Sequence, residues 1–268
     1  MRTIADHTRT NILNEQFIPD NVFIYVAKGK IRVFDGTDSH TFSAGDACVA
    51  RKNRLAKYEL LDSQEKFEPI LFCFDEPLLQ EFQQKHGIKQ THALSKNTFT
   101  SIRKSEMLES FIQSIKPYYK GVMQLDEAFE DVKYEELLIL LLKYQPELAT
   151  ILFDFRKPGK IDLEEFMGSH YKFNVSTERF AYLTGRSISA FKRDFAETYN
   201  ETPGRWLVKK RLEEAYFLIS QKNKKPSDIY LDLGFEDLSH FSFSFKKQYG
   251  LTPTQMAVKT SVNHLDKL

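Results

Sequence analysis

The sequence predicts an α+β protein of two domains: an N-terminal antiparallel β-barrel with accompanying helices, then an all-α domain in which two helix-turn-helix units are joined by a linking helix. Three observations carry this. Short apolar strands separated by turn residues crowd residues 22–74, helical periodicity takes over after Pro77, and a segment near the C-terminus recurs fifty residues later. At 268 residues the chain exceeds the ~250 residues at which single cores stop growing, which favours two domains.

The strands read in order as Val22-Phe23-Ile24-Tyr25-Val26, Ile31-Arg32-Val33-Phe34, Ala47-Cys48-Val49-Ala50, Lys57-Tyr58-Glu59-Leu60-Leu61 and Ile70-Leu71-Phe72-Cys73-Phe74. Lys28-Gly29, Asp35-Gly36 and Ser43-Ala44-Gly45-Asp46 punctuate them with residues that tolerate positive φ, so successive strands pair as hairpins. A row of short apolar strands must close or cover its edges, and a barrel or sandwich does so. The aromatics Phe23, Tyr25, Phe34 and Phe72 are read as core rather than as the lining of a cavity.

Helices are predicted over Leu78–His86, Ser101–Tyr119 and Lys133–Tyr144. The last is apolar on most faces, so it is either a core helix against the barrel or a dimer seam. The polar Asp154-Phe155-Arg156-Lys157-Pro158-Gly159 marks a boundary. The predicted organisation is therefore residues 1–153 as a sensing or dimerisation domain, 154–160 as linker and 161–268 as the helical domain.

Hydrophobic residues at 41% and charged residues at 28% are ordinary for a soluble protein, and no apolar run approaches the ~18–20 residues of a membrane span. The start, Met1-Arg2-Thr3-Ile4-Ala5-Asp6-His7, lacks a secretory signal's apolar core, so a cytoplasmic location with no membrane partner is expected. Cys48 and Cys73 lie in apolar strands without CxxC spacing and read as buried thiols. The net charge of +1 conceals an asymmetry: residues 160–268 hold 17 Lys and Arg against 14 Asp and Glu. That asymmetry permits a polyanionic partner without requiring one.

The repeat is the most informative feature. Residues 189–203 (SAFKRDFAETYNETP) laid over 239–253 (SHFSFSFKKQYGLTP) share Ser189/Ser239, Phe191/Phe241, Phe195/Phe245, Tyr199/Tyr249, Thr202/Thr252 and Pro203/Pro253. The aromatics fall at i, i+4 and i+8, one buried stripe of a helix whose opposite face stays free. Asn200 and Gly250 suit a left-handed helix end, and Thr followed by Pro starts the next helix. Ser187 and Asp237 occupy N-cap positions, each shortly after a glycine, Gly185 or Gly234, that closes a shorter helix. A single helix-turn-helix pattern also occurs in proteins that never meet nucleic acid. Two in register, joined by Pro203–Gln221 with its basic cluster Lys209-Lys210-Arg211, point to a reader of double-stranded DNA.

These residues resemble the AraC/XylS family of transcription regulators. The resemblance rests on Leu183-Thr184-Gly185-Arg186-Ser187 leading into Phe191-Lys192-Arg193-Asp194-Phe195, on Pro203 with Trp206-Leu207, on Arg211-Leu212-Glu213-Glu214-Ala215, and on Gly234-Phe235-Glu236-Asp237 with Ser239, Phe241, Phe245-Lys246-Lys247, Tyr249-Gly250 and Thr252-Pro253. It covers the C-terminal hundred residues; the hairpins and the Ala44-Gly45-Asp46 turn resemble, less specifically, the cupin-like barrel of many members. The resemblance implies that each second helix enters a major groove, with two DNA elements about one turn, roughly 10 bp, apart. By position, Ser187, Ser189, Lys192 and Arg193 from the first unit and Asp237, Ser239, His240, Ser242 and Lys246 from the second are the DNA-binding residues it implies. Phe243 departs from the polar residue usual there, so the second unit either reads a thymine methyl by apolar contact or contributes little base readout.

Two other constellations are set aside. Asp154 to Glu165 mimics a calcium loop, but Arg156 and Pro158 stand where oxygen ligands are needed. The histidines His7, His40, His86 and His92 show no His-x-His pair, so neither a metal nor a cofactor is expected. The resulting expectation is a transcription regulator and activator, not an enzyme. Its N-terminal domain answers to a small-molecule or protein effector, with RNA polymerase and a second copy of the chain as further partners. The alternative is a DNA-binding module fused to a catalytic metal-dependent cupin.

Overall fold

The computed structural model describes residues 16–61, 66–89, 97–121, 124–125 and 127–265. His7, His92 and the opening Met1–His7 segment lie outside the described residues. The chain divides into two compact units, Met1–Lys157 and Pro158–Leu268. No helix among the described residues is long and apolar enough to cross a membrane.

The first unit is built on two antiparallel sheets. One contains β2 (Asn21–Lys28), β5 (Ala47–Ala50), β8 (Glu68–Phe74) and β9 (Phe99–Ser101) in the order β8-β2-β5-β9. The other contains β3 (Lys30–Phe34), β4 (Ser39–Ser43) and β7 (Lys57–Leu60) in the order β4-β3-β7. A short pair, β1 (Phe17–Ile18) with β6 (Arg54–Leu55), lies beside them, and β10 (Tyr119–Gly121) with β11 (Gln124–Leu125) forms a further hairpin. The turn into β3 passes through Gly29 at φ +79°, where an L side chain is strained. In the next turn the Asp35 carboxylate accepts hydrogen bonds from the Thr37 and Asp38 backbone N–H groups at 3.1 and 2.8 Å.

Alternation sends the two faces of the larger sheet into different cores. Val22, Ile24, Val26, Cys48, Ala50, Leu71 and Cys73 meet Ile31, Val33 and Phe42 between the sheets. Phe23, Val49, Ile70, Phe72 and Phe74 instead pack beneath helices α1 (Glu76–Lys85), α2 (Glu106–Ile115) and α3 (Glu127–Tyr144). There the Phe72 and Tyr134 rings meet edge to face at 4.9 Å. Phe23 and Phe72 are therefore core, as is the inner stripe of α3, Tyr134, Leu137, Leu138 and Leu141, while Val132 and Ile139 on that helix stay exposed. The predicted helix over 101–119 is shorter than its periodicity suggested. Ser101 ends β9, and the Ser105 hydroxyl caps α2 by accepting from Leu108 N at 3.2 Å. Cys48 and Cys73 are buried free thiols, and burial pushes the Cys48 thiol up.

After α4 (Ala149–Leu152), Asp154 closes this unit. Its carboxylate accepts from Arg51 Nη2 at 2.8 Å and from Arg156 Nε and Nη2 at 2.8 and 2.9 Å. Arg156 above all, and Arg51 with it, hold the Asp154 carboxyl down at about 2. Because the folded value lies below the ordinary one, ionised Asp154 stabilises the fold. That contribution is complete above the unfolded carboxylate value and is lost as pH falls toward about 2. Asp154→Asn is expected to lower unfolding stability by about 1–2 kcal/mol at pH 7. In urea titrations at descending pH, the gap from wild type should close as pH approaches 2 and stay open between pH 5 and 7.

The second unit is helical throughout: α5 (Leu163–His170), α6 (Thr177–Leu183), α7 (Ile188–Tyr199), α8 (Pro203–Lys222), α9 (Pro226–Ile229), α10 (Leu238–Tyr249) and α11 (Pro253–Leu265). Asp162, a residue of the calcium-like stretch, caps α5 by accepting from Glu165 N at 2.7 Å.

Candidate nucleic-acid interface

The two copies of the repeat become α7 and α10, each of twelve residues. Phe191 and Phe195 are fully buried on α7, as are Phe241 and Phe245 on α10. Tyr199 and Tyr249 complete the stripes, their rings tilted against Trp206 and Tyr216 of α8 at centroid distances of 4.6 and 4.9 Å. Burying one stripe turns the opposite one outward. Ser189, Lys192 and Arg193 are exposed on α7; Ser239, His240 and Lys246 are exposed on α10, with Ser242 half-buried. Spacings of three and four residues place Ser189, Lys192, Arg193 and Ala196 on one face, and Ser239, Ser242, Phe243 and Lys246 on the matching face. The two faces differ in chemistry. The first presents two adjacent cations, the second two hydroxyls, a lysine and Phe243, whose side chain is 69% exposed. Arg193 lies 3.2 Å from Asp194 and 4.0 Å from Glu197, exposed pairs of the kind worth ~0–1 kcal/mol, so it is readily redirected.

Ser187 and Asp237 sit at the N-termini of these helices with their side chains already engaged. Ser187 Oγ accepts from Ala190 N at 3.2 Å and an Asp237 carboxylate oxygen from His240 N at 2.6 Å. Asp237→Ala is expected to cost about 1–2 kcal/mol of stability, and Ser187→Ala about 0.5–1, because only the former also removes a negative charge from a helix N-terminus. Thermal melts of the two variants would rank them. At the far ends Asn200 and Gly250 adopt left-handed conformations, φ 53° and 78°. The next helix starts differently in each copy. Thr252 and Gln255 cap α11 reciprocally, at 2.9 Å for Thr252 N to Gln255 Oε1 and 3.2 Å for Gln255 N to Thr252 Oγ1, whereas the Thr202 side chain makes no cap bond to α8.

Both turns depend on glycine. A Cβ on Gly185 would stand 2.3 Å from the Gly159 carbonyl carbon, and one on Gly234 would stand 2.6 Å from the Lys172 carbonyl oxygen. Arg186 seals the first turn through Thr184 O at 2.8 Å, Ile161 O at 3.0 Å and Asp194 at 3.0 Å. The basic cluster on the linking helix α8 is smaller than the sequence implied: Lys209 and Lys210 are exposed, but Arg211 is only 7% exposed and points inward. Among the described histidines, His40 leans on Phe99 and His86 stacks on Phe82 beside Glu135.

Two outward-facing helices of a tandem helix-turn-helix domain, in a chain whose earlier residues form a unit of paired sheets, define a two-domain protein of the DNA-reading type. Residues 180–258 match the family described as helix-turn-helix domain, and residues 21–151 match the ExsA N-terminal regulatory domain. These two stretches match the regulatory and helix-turn-helix domains of AraC-type transcription regulators. It is similar to the virulence regulon transcriptional activator VirF of Yersinia enterocolitica, 30% identical over 127 residues, 46% of each chain. The HTH-type transcriptional regulator ExsA of Pseudomonas aeruginosa is 28% identical over 127 residues, 46% of this chain and 45% of that one. The match thus spans about half the length of these two relatives. The HTH-type transcriptional activator RhaS of an Enterobacter species is 23% identical over 239 residues, 84% of this chain and 80% of that one. Among solved structures, ToxT from Vibrio cholerae aligns over 91% of both chains at 13% identity with a TM-score of 0.37.

Proposed function

We propose that this protein is a sequence-specific transcription activator that reads two major-groove elements with α7 and α10. The observation that carries the reading is the pair of outward faces left free by the buried aromatic stripes. In the first, Lys192 and Arg193 suit guanine acceptors or phosphates; in the second, Ser239, His240 and Ser242 offer hydrogen bonds, Phe243 an apolar contact and Lys246 a phosphate contact. Ser187 and Asp237 act as caps that aim the two helices. Residues 1–153 regulate, 154–160 connect and 161–268 bind DNA in the cytoplasm. The ExsA-type regulatory match over residues 21–151 supports control through the first unit by a small-molecule or protein effector. The exposed Val132 and Ile139 of α3 supply apolar area for a homodimer contact. As an activator, the protein works by engaging RNA polymerase.

Selection of duplexes from a random pool by the purified full-length protein at moderate salt tests the reading. The expected product is two short elements about one helical turn, ~10 bp, apart. Enrichment of no sequence by the full chain, with or without effector-containing extract, would remove the proposal.

A further inference from the structure

The second unit contains a buried cation that the reading of DNA does not use directly. All three nitrogens of the Arg211 guanidinium are taken up by backbone carbonyls: Nε donates to Tyr171 O, Nη1 to Gly234 O and Nη2 to Phe173 O, each at 2.7 Å. These acceptors come from different parts of the domain. Arg211 lies in the middle of the linking helix α8, Tyr171 and Phe173 belong to the strap between α5 and α6 that leads into the first helix-turn-helix, and Gly234 is in the turn of the second. Gly234 can approach only because it lacks a side chain. Its Cβ would stand 2.6 Å from Lys172 O and 2.9 Å from Arg211 Cζ, so the second turn lies directly against the strap that leads into the first helix-turn-helix. Two further ties hold the strap, Lys172 Nζ to Glu214 of the linking helix at 2.8 Å and Asn174 Nδ2 to Glu236 beside the second turn at 3.1 Å. A planar fork that satisfies three carbonyls at once fixes their mutual directions, which a single ammonium does not.

We propose that Arg211 is a positioning residue that locks the first and second helix-turn-helix units at one relative angle, and thereby sets how many base pairs separate the two DNA elements the protein accepts. The inference rests on the double-reader proposal above. One base pair more or less between the elements turns one groove relative to the other by about 35°. A rigid pair of readers rejects that rotation; a loosened pair follows it. Lys209 and Lys210, exposed on the same helix, have no part in the clamp and change affinity without changing the preferred spacing.

The test uses the full-length protein and the selected site, with its elements moved one and two base pairs closer or further apart. Wild type is expected to bind the selected spacing at least about tenfold more tightly than the outer members of the series, a loss like that of a mismatched contact. Arg211→Lys is expected to flatten that series while binding a duplex with only the first element as wild type does. Lys209→Ala/Lys210→Ala should weaken the whole series and keep its peak. A peak retained in Arg211→Lys overturns the proposal. If wild type itself prefers no spacing, the double-reader reading fails instead, and the wild-type arm alone reports it. Should Arg211→Lys not melt cooperatively, Gly234→Ala disturbs the same clamp from its other side, and an unchanged peak there is equally decisive against it. Spin labels at Glu197→Cys and Lys247→Cys give an arm that needs no clamp variant: one narrow distance in the DNA-free protein is expected, and a broad distribution overturns the proposal.

Discussion

In Lys192→Ala/Arg193→Ala, duplex selection is expected to return the second element and lose the first. Both side chains are exposed on the outward face of α7, and neither supports the core. A bidentate base contact discriminates by ~1–3 kcal/mol, so losing both residues should lower affinity for the full site by about 2–4 kcal/mol, roughly 30- to 1,000-fold. If both residues met only phosphates, binding would weaken uniformly across sequences and the salt dependence would flatten by about one counterion for each. Alanine favours helix, so thermal stability should stay within ~0.5 kcal/mol of wild type. Filter binding across sequence and salt separates these outcomes. Undiminished affinity and an intact first element in the double variant would remove α7 from the interface.

The second large effect concerns two phenylalanines whose environments are opposite. Phe195 is fully buried on α7 against Phe191, Tyr199 and Trp206, at ring distances of 5.5, 4.5 and 5.6 Å. Phe195→Ala is expected to destabilise the protein by about 3–5 kcal/mol, the range for emptying an aromatic site in a packed interior. Phe243 is 69% exposed on α10. Phe243→Ala should leave stability within ~0.5 kcal/mol of wild type and instead relax selection at one position of the second element. Urea unfolding of the two variants, with duplex selection by the second, measures both halves. A Phe243→Ala loss comparable to that of Phe195→Ala would mean that the side chain is packed rather than presented.

The repeat was legible because its physics is local. Aromatics four residues apart, a glycine before a capping residue and a Thr-Pro start each act within one or two helical turns, and the structure forms an element at each. The strands starting near Val22, Ile31, Ala47, Lys57 and Ile70 were legible for the same reason, as apolar runs bounded by turn residues. Strand β4 was not, because Ser39-His40-Thr41-Phe42-Ser43 contains a single large apolar side chain, Phe42, too little for an apolar run to show. β9 lies far along the chain, and its place beside β5 is a tertiary fact. Arg211 was grouped with Lys209 and Lys210 by adjacency. Its helical phase was the available signal: four residues after Leu207 and four before Ala215, it falls on the buried stripe of α8. That its three partners are carbonyls from two distant turns was beyond any local pattern. The outward faces of α7 and α10 followed from the stripes, whereas the engagement of Ser187 and Asp237 as caps narrows what their side chains are free to do.

Strand β2 has both faces buried, which changes how its alignment is specified. In a half-exposed strand a slip of one residue drives apolar side chains into water, and polarity forbids it. Here a slip would only exchange one apolar set for another, so polarity is silent. Size distinguishes the faces: the space between the sheets receives Val22, Ile24 and Val26 opposite Leu71 and Cys73, while the side beneath the helices receives Phe23 and Tyr25 with Phe72 and Phe74. Aliphatic groups on one side and rings on the other would each find the wrong volume after a shift, in interiors packed as densely as crystals. In this strand the register is written in volume rather than in polarity.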